Sequence, residues 1–413
     1  MTRVIHTGDT HVGYRQYHSS ERRQDFLDAF EAVIDDAVAD GDASVDAVVH
    51  AGDLFHDRRP DLPDLLGVLS ALRRLDDADV PFLAVVGNHE ATRGSQWLDL
   101  FSDLGLATRL DDDPTVVGET AFYGLDHVPR SRREDLDYDF EPHDADTAAL
   151  VAHGLFTPFP HADWDTETVL SASNVDFDAM LLGDNHTPDR AEVRGTWVTY
   201  CGSTERASAD ERDARGYNLV EFGADAGGDA TVDVRRRSLD TRPFAFVDVD
   251  LAEGEGVDRV REQVRQHDLT DAVAVVSITG EGDPVTPAAV EEAALEEGAL
   301  LARVTDHRAV GGEGVEADAE VEFGDPDAAV RERIREMDLS DAGRRLDETV
   351  RDEGLADSNV RDRVADLVAD AVDDGSLDRG DPDGASATGP DAAEATENGE
   401  PAPDDQVSME DFL

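Results

Sequence analysis

Short apolar runs alternate with stretches of helical period along the first half of the chain. Five runs end in glycine and polar residues: VIHTGDTH at 4–11, AVVHAGDLFH at 47–56, FLAVVGNHE at 82–90, ALVAHG at 149–154 and AMLLGDNH at 179–186. Between them, FLDAFEAVIDDAV at 26–38 and LLGVLSALRRL at 65–75 show the spacing of amphipathic helices. This alternation predicts βαβ units and a layered α/β core.

The polar residues that follow these runs are types that bind metal ions. Ligands in such folds collect outside the carboxyl ends of the strands, so we expect these side chains to converge. They are Asp9, His11, Asp53, His56, Asn88, His89, His153, Asp184 and His186. Turn chemistry alone explains one Gly-Asp-Asn sequence, and a single histidine is ordinarily structural. Five of the 13 histidines lying at strand ends beside Asp or Asn indicate a shared site.

Carboxylate, imidazole and amide ligands without thiolate suit manganese, iron or magnesium, and zinc remains possible. Asp9 and His11 can bind one ion from a single strand end, while Asn88 and His153 come from distant strands and suit a second. Asp53 is the natural candidate to bridge them. Two ions about 3.5–4 Å apart can clamp a phosphate and activate water. The pattern therefore predicts a phosphoester hydrolase.

The pattern changes after residue 240. Apolar strands at 244–251, 272–280 and 300–306 alternate with helical stretches at 257–266 and 286–297, which predicts a small αβ domain without a ligand cluster.

Three helical stretches follow between 326 and 373, with Ser340 and Ser358 as N-caps. Their apolar stripes are narrow and predict docking against another surface. Residues 374–405 are rich in Asp, Gly, Ala, Pro and Glu and contain no aromatic residue, which predicts disorder.

The charge of the chain is extreme. There are 96 acidic residues against 36 basic ones, all of them arginine, and the net charge is -60. Molar salt shortens the Debye length to ~3 Å and screens this repulsion, so we interpret the chain as a protein of an extreme halophile. The charge therefore indicates a solvent of high salt concentration and does not exclude a nucleic-acid partner.

A single cysteine, Cys201, excludes an internal disulfide and a cysteine-rich zinc site. No apolar run approaches the ~18 residues of a membrane span. The N-terminus enters a strand directly, without the features of a signal peptide, so we expect a cytoplasmic protein.

The motifs DTH, GDLFH, GNHE, HG and GDNH together resemble the five motifs of the calcineurin-like metallophosphoesterases. More narrowly, AGDLFHDRRP, VGNHEATR and YCGSTERAS resemble archaeal double-strand-break repair nucleases of the meiotic-recombination-eleven (SbcD) type, over residues 1 to about 220. The strand pair around 191–200 and RGYNLVEF at 215–222 belong to the same resemblance.

The resemblance implies an α/β fold with a layered αββα metallophosphoesterase core and a small αβ capping domain that helps to place DNA. A helical partner-docking segment and a disordered acidic tail follow. The implied boundaries are 1–240 for the nuclease domain, 241–325 for the capping domain, 326–373 for a helix-loop-helix docking segment and 374–413 for the tail.

The resemblance also implies two manganese ions per subunit, with magnesium or iron as possible replacements. The first ion's ligands would be Asp9, His11, Asp53 and His186, and the second ion's ligands would be Asp53, Asn88, His153 and Asp184. His89 would orient or protonate at the scissile phosphate, supported by His56.

One position departs from the family pattern. The last motif usually reads GHxH, so Asp184 stands where a histidine normally binds the second metal. A carboxylate there keeps a ligand and favours hard cations such as manganese or magnesium. Alternatively, Asp184 only caps the turn and the second metal binds weakly.

The implied function is a two-metal DNA exonuclease and endonuclease that acts on DNA ends in double-strand-break repair. Its partners would be an SMC-like coiled-coil ATPase (Rad-fifty, SbcC type) and a second copy of the chain. The alternative is another dinuclear phosphodiesterase or phosphatase that does not act on DNA. Those phosphatases usually read GDxVDRG where this chain has GDLFHDR. A scaffold without catalysis is disfavoured, because every ligand position holds a competent ligand.

Apolar residues return at 406–413, QVSMEDFL. Gln406, Met409, Phe412 and Leu413 have the spacing of the short motif that binds the replication sliding clamp. Leu413 departs from that motif, which commonly has a second aromatic residue there. A plain hydrophobic C-terminus explains the residues equally well.

Overall fold

The computed structural model describes most of the first 308 residues and four positions beyond them. The described ranges are 1–39, 44–92, 94–225, 227–228, 230–308, 363–364 and 367–368. The predicted docking segment at 326–373 lies outside the described residues except for those four positions, and the predicted tail with its 406–413 motif lies outside them entirely. Within the described ranges, no helix is both long and apolar enough to cross a membrane.

Fifteen strands and six α-helices make up the described part of the chain. The strands are β1 Thr2–Thr7, β2 Ala47–His50, β3 Phe82–Ala84, β4 Thr108–Arg109, β5 Thr115–Val117, β6 Thr120–Leu125, β7 Thr147–His153, β8 Ala179–Gly183, β9 Asp189–Val193, β10 Thr196–Tyr200, β11 Gly216–Ala224, β12 Ala230–Ser238, β13 Phe244–Leu251, β14 Val273–Gly280 and β15 Leu301–Asp306. The helices are α1 Ser20–Ala37, α2 Leu62–Asp77, α3 Trp97–Asp103, α4 Thr166–Ala172, α5 Val257–Val264 and α6 Pro287–Glu296.

Two six-stranded sheets form the main body. The first has the order β12-β11-β1-β2-β3-β4, and the second has the order β5-β6-β7-β8-β10-β9. Strands β1 to β4 of the first sheet are parallel to one another, as are β6, β7, β8 and β10 of the second, so the carboxyl ends within each set point to the same edge. The predicted strand pair around 191–200 is confirmed as the antiparallel pair β9 and β10.

The two sheets pack face to face with helices outside, which confirms the layered αββα arrangement. Val49 and Val151, from the two sheets, share one buried cluster between the layers. The outer face of the first sheet packs on α1 and α2 through residues such as Phe30 and Leu72. Strands that are buried on both faces are apolar throughout, so they appear in the sequence as continuous apolar runs.

A smaller sheet, β13-β14-β15, is parallel and packs with α5 and α6 around its own core of residues such as Val249, Val260 and Ile278. Its strands and helices lie where the sequence predicts them. The numbered boundaries at 240, 325 and 373 stay predictions.

Candidate metal centre

All nine polar residues singled out in the sequence lie at the carboxyl ends of five parallel strands. His153 is the last residue of β7. The other eight follow the ends of β1, β2, β3 and β8. The two sheets therefore bring side chains from positions 9 to 186 to one edge, as expected for this class of fold.

The backbone turns sharply where four of these residues lie. Asp9, His11, Asp53 and Asp184 have φ values of 48°, 43°, 57° and 91°. Non-glycine residues rarely adopt this left-handed region, and each costs on the order of 1–3 kcal/mol. The turns aim successive side chains inward immediately after the strands end.

Gly87 allows the chain to approach Asp53 closely. A Cβ atom at Gly87 would lie 2.0 Å from Asp53 Oδ1 and 2.3 Å from the Asp53 backbone nitrogen. No side chain fits in that space, so the loop after β3 can support Asp53 only with glycine at this position.

Asp9, His11 and His186 form the first cluster. One ligand atom from each lies within 4.8 Å of the others. The His11 and His186 Nε2 atoms are 3.0 Å apart and both side chains are buried. The Asp9 carboxylate also accepts the backbone N–H of Asp184 at 2.9 Å, which ties the turn after β8 to the turn after β1.

Asp53 lies at the centre of the site. Its Oδ1 accepts the backbone N–H of His89 at 3.0 Å. Its Oδ2 is buried without a hydrogen-bond partner, 3.8 Å from His11 Nε2 and 3.5 Å from His153 Nε2. An unpartnered buried carboxylate oxygen between two imidazole nitrogens fits a cation on either side.

His153, Asn88 and Asp184 lie beyond Asp53. The Asn88 Oδ1 is 2.8 Å from His153 Nε2, and the Asp184 Oδ1 is 3.9 Å from the same nitrogen. His153 Nδ1 donates to the Ala51 carbonyl at 2.7 Å, which leaves Nε2 to face the site.

His89 and His56 lie on the other side of His11. The His89 ring is 4.7 Å from the His11 ring and 4.9 Å from the His56 ring, measured between centroids. His89 Nδ1 donates to the His56 carbonyl at 2.9 Å, and Tyr14 stacks on the His56 ring at 3.9 Å. These contacts hold both imidazoles at the edge of the carboxylate cluster.

The buried carboxylates of the site favour a positive charge at its centre. Burial alone would lower the pKa of His153, but the carboxylates of Asp53, Asp184 and Asp9 outweigh it and raise that pKa well above its usual value. Burial raises the pKa of Asp9 to about 6, although His186 and His153 oppose the shift. These shifts reflect an excess of buried carboxylate charge at the centre of the site, which a divalent cation would offset.

The structure adds two acidic residues that the sequence motifs did not single out as site residues. Glu211 accepts a hydrogen bond from His186 Nδ1 at 2.9 Å. Glu90 is buried and accepts the backbone N–H groups of Phe55 at 3.1 Å and Gly87 at 3.2 Å, which joins the loops after β2 and β3. Glu90 stands inside the GNHE motif, so that motif was its available signal, whereas Glu211 lies outside all five motifs.

Residues 2–188 match the calcineurin-like phosphoesterase family. The chain is 71% identical over 374 residues to the DNA double-strand break repair protein Mre11 of Haloferax volcanii, across 91% of this chain and 83% of the relative. It is 59% identical over 388 residues to the protein of that name from Halobacterium salinarum, across 94% and 99%. The corresponding Methanosarcina acetivorans protein is 42% identical over 392 residues, across 92% and 62%.

Proposed function

The chain belongs to the calcineurin-like phosphoesterases and, among them, to the archaeal Mre11-type nucleases, and from this premise we propose that it is a manganese-dependent DNA exonuclease and endonuclease. It processes DNA ends in double-strand-break repair. The observation that carries the proposal is the buried, unpartnered Asp53 Oδ2 between His11 and His153.

Two ions would share Asp53. Asp9, His11 and His186 would complete the first set, and Asn88, His153 and Asp184 would complete the second. Asp184 is proposed as a full ligand because its carboxylate lies near His153 Nε2 and is mostly buried. Oxygen and imidazole donors favour manganese, with magnesium or iron as substitutes.

Bound divalent ions would lower the pKa of the attacking water and offset the charge that develops on the phosphate. His89 would hold or protonate an oxygen of the scissile phosphate, because its Nδ1 donates to the His56 carbonyl and fixes the ring beside His11. His56 would support His89 from its place against Tyr14.

The most informative experiment is digestion of end-labelled duplex DNA at molar salt with Mn²⁺, with Mg²⁺ and with chelator. Mn²⁺-dependent release of nucleotides supports the proposal. Hydrolysis of bis-p-nitrophenyl phosphate without any cleavage of DNA would instead support a phosphodiesterase or phosphatase that does not act on DNA. Molar salt is used in this experiment because we propose a halophilic origin from the net charge of -60.

We also propose partners. An SMC-like coiled-coil ATPase would bind 326–373. A second copy would bind through the helices at 21–40 and 60–76, where Leu62 and Leu66 of α2 are exposed. The sliding clamp would bind the motif at 406–413. Titration of a peptide of residues 400–413 onto the clamp tests this directly. We expect saturable binding that the substitution Phe412→Ala abolishes. The cytoplasmic location stays a prediction.

A further inference from the structure

Glu211 lies behind His186, on the side of the imidazole that faces away from the cluster. Its Oε1 is 2.9 Å from His186 Nδ1. An ionised carboxylate only accepts hydrogen bonds, so Nδ1 must carry the proton. The lone pair of His186 is then on Nε2, the nitrogen that lies 3.0 Å from His11 Nε2.

The other carboxylate oxygen of Glu211 is held by three donors. Oε2 accepts from Arg215 Nη1 at 3.0 Å, from the backbone N–H of Ala207 at 3.0 Å and from Ser203 Oγ at 3.3 Å. The carboxylate is nearly buried, with 8% of its side chain exposed. With Oε2 satisfied, the carboxylate cannot rotate without losing several bonds, and Oε1 stays aimed at His186.

Arg215 fixes the same histidine a second time. Its Nη1 donates to the His186 carbonyl at 3.0 Å, and its side chain is buried. His186 is therefore held by its ring through Glu211 and by its backbone through Arg215. Among the three proposed ligand histidines, only His186 pairs with a carboxylate at Nδ1, because the Nδ1 of His153 donates to a backbone carbonyl and that of His11 has no hydrogen-bond partner.

We propose that Glu211 is a positioning residue that sets the tautomer and ring orientation of His186 and so determines the affinity of the first metal site. The inference rests on the proposed two-metal function. A carboxylate that accepts from a ligand histidine orients the ring and raises its basicity, and removing such a partner typically costs about 10–100-fold in metal affinity.

Glu211→Gln tests this, because it keeps the size of the side chain and removes its charge. Mn²⁺ titration of the full chain by electron paramagnetic resonance, in molar KCl, is expected to show one of two binding constants weakened by about 10–100-fold. The second binding constant is expected to stay close to that of the wild type. Equal Mn²⁺ affinities in the variant and the wild type would overturn the inference.

Glu205→Gln is the matched control. Glu205 is a buried carboxylate in the same loop that pairs with Arg22 at 3.3 Å and contacts no proposed ligand. It should leave both Mn²⁺ constants unchanged. An equal loss in Glu205→Gln would assign the effect to loop packing and refute the role of the His186 bond.

A measurement on metal-free protein separates this inference from the proposed function. ¹⁵N NMR of labelled histidine should show His186 protonated at Nδ1 in the wild type and a changed tautomer population in Glu211→Gln. An unchanged tautomer refutes the positioning role, even if the variant is less stable. Wild-type protein that binds no Mn²⁺ would refute the proposed function, while the tautomer result would still decide whether Glu211 controls His186.

Discussion

The backbone conformation and the neighbours of Asp53 together position its side chain in the site. It follows a strand, adopts a left-handed φ of 57° and lies against Gly87. One of its oxygens accepts the His89 N–H, and the other has no hydrogen-bond partner. The backbone strain and the desolvation of the carboxylate both cost free energy, and a purely structural aspartate would require neither.

Asp53→Ala and His89→Ala should separate metal binding from catalysis. Asp53→Ala removes the proposed bridging ligand, so Mn²⁺ binding and nuclease activity should be lost together. His89→Ala should keep Mn²⁺ binding within about twofold and lower kcat by about 10²–10⁴-fold, because only a proton-transfer or positioning group is removed. Calorimetric Mn²⁺ titration beside the DNA digestion checks both, and a His89→Ala variant with normal turnover would contradict its role.

Gly87→Ala should disable the site without replacing any of the proposed ligands. The new Cβ would lie 2.0 Å from Asp53 Oδ1, so Asp53 must move. We expect a loss of activity of about 100-fold or more, since small misplacements in an active site have that effect. Gly94→Ala is the control, because nothing lies within 4 Å of a Cβ there. Similar activities of the two variants would show that the close approach at Gly87 is unimportant.

The strands that carry the site could be predicted from the sequence, and several others could not. β2 and β7 are buried on both faces and appear as continuous apolar runs. β4 has two residues, and β12 has only two valines followed by three consecutive arginines, so neither gives a strong signal. Ligand positions could be predicted because each lies at the end of, or shortly after, a strand that the apolar pattern predicts.

Glu211 could not be predicted in the same way. It is 25 residues from His186 along the chain, in a loop without a strand pattern. Only the folding of that loop back onto β8 brings the carboxylate to the imidazole. Residues that support a ligand from a distant loop need tertiary information, whereas ligands at strand ends need only the period of the strands.

Helix α1 is joined to the small sheet through Asp25. The Asp25 carboxylate accepts from Arg22 Nη1 at 2.7 Å and from Arg242 Nε at 2.6 Å, and Arg242 immediately precedes the segment that enters β13. Arg22 is fully buried. Two guanidinium groups therefore share this carboxylate, and each has a second carboxylate partner, Glu205 for Arg22 and Asp271 for Arg242.

Asp25→Ala should destabilise the protein by about 1–3 kcal/mol, because Arg22 and Arg242 each lose a charged hydrogen-bond partner while Glu205 and Asp271 still pair with them. Urea unfolding in molar KCl, followed by circular dichroism, measures the change. Asp28→Ala, on the exposed face of the same helix, should shift the free energy of unfolding by less than about 0.5 kcal/mol. Equal unfolding midpoints for the two variants would show that the Asp25 link carries little energy.

Exposed leucines of α2 mark the surface where we propose that two copies meet, and two more exposed leucines lie at α3. Leu62 and Leu66 of α2 are 66% and 54% exposed, and Leu100 and Leu104 at α3 are 44% and 53% exposed. Pairs four residues apart lie on one face of a helix. In molar salt, attraction between charges is weak, so apolar contacts should dominate self-association.

Leu66→Arg should convert a dimer to a monomer at micromolar concentration in molar KCl, as measured by light scattering. The substitution places a charge at the centre of the proposed apolar interface. Val116→Arg, at an equally exposed position on β5, should leave the molar mass unchanged. A wild-type protein that is only monomeric under these conditions would refute the dimer.

Deleting 326–373 should leave Mn²⁺-dependent activity on free DNA ends intact, because all proposed ligands lie at or before residue 186. The truncated chain should fail to co-purify with the ATPase. The full-length chain is the control, and co-purification of the truncated chain would refute the docking role.

The left-handed turns at Asp9, His11, Asp53 and Asp184 also have a consequence for laboratory evolution. Asparagine tolerates this backbone better than most residues, and it would remove the repulsion among the three aspartates of the site. A library selected only for thermal resistance, in the presence of a chelator, should therefore accumulate Asp→Asn at positions 9, 53 and 184. The surviving variants would be more heat-resistant and inactive, so selection for stability in this protein must be coupled to a screen for DNA cleavage.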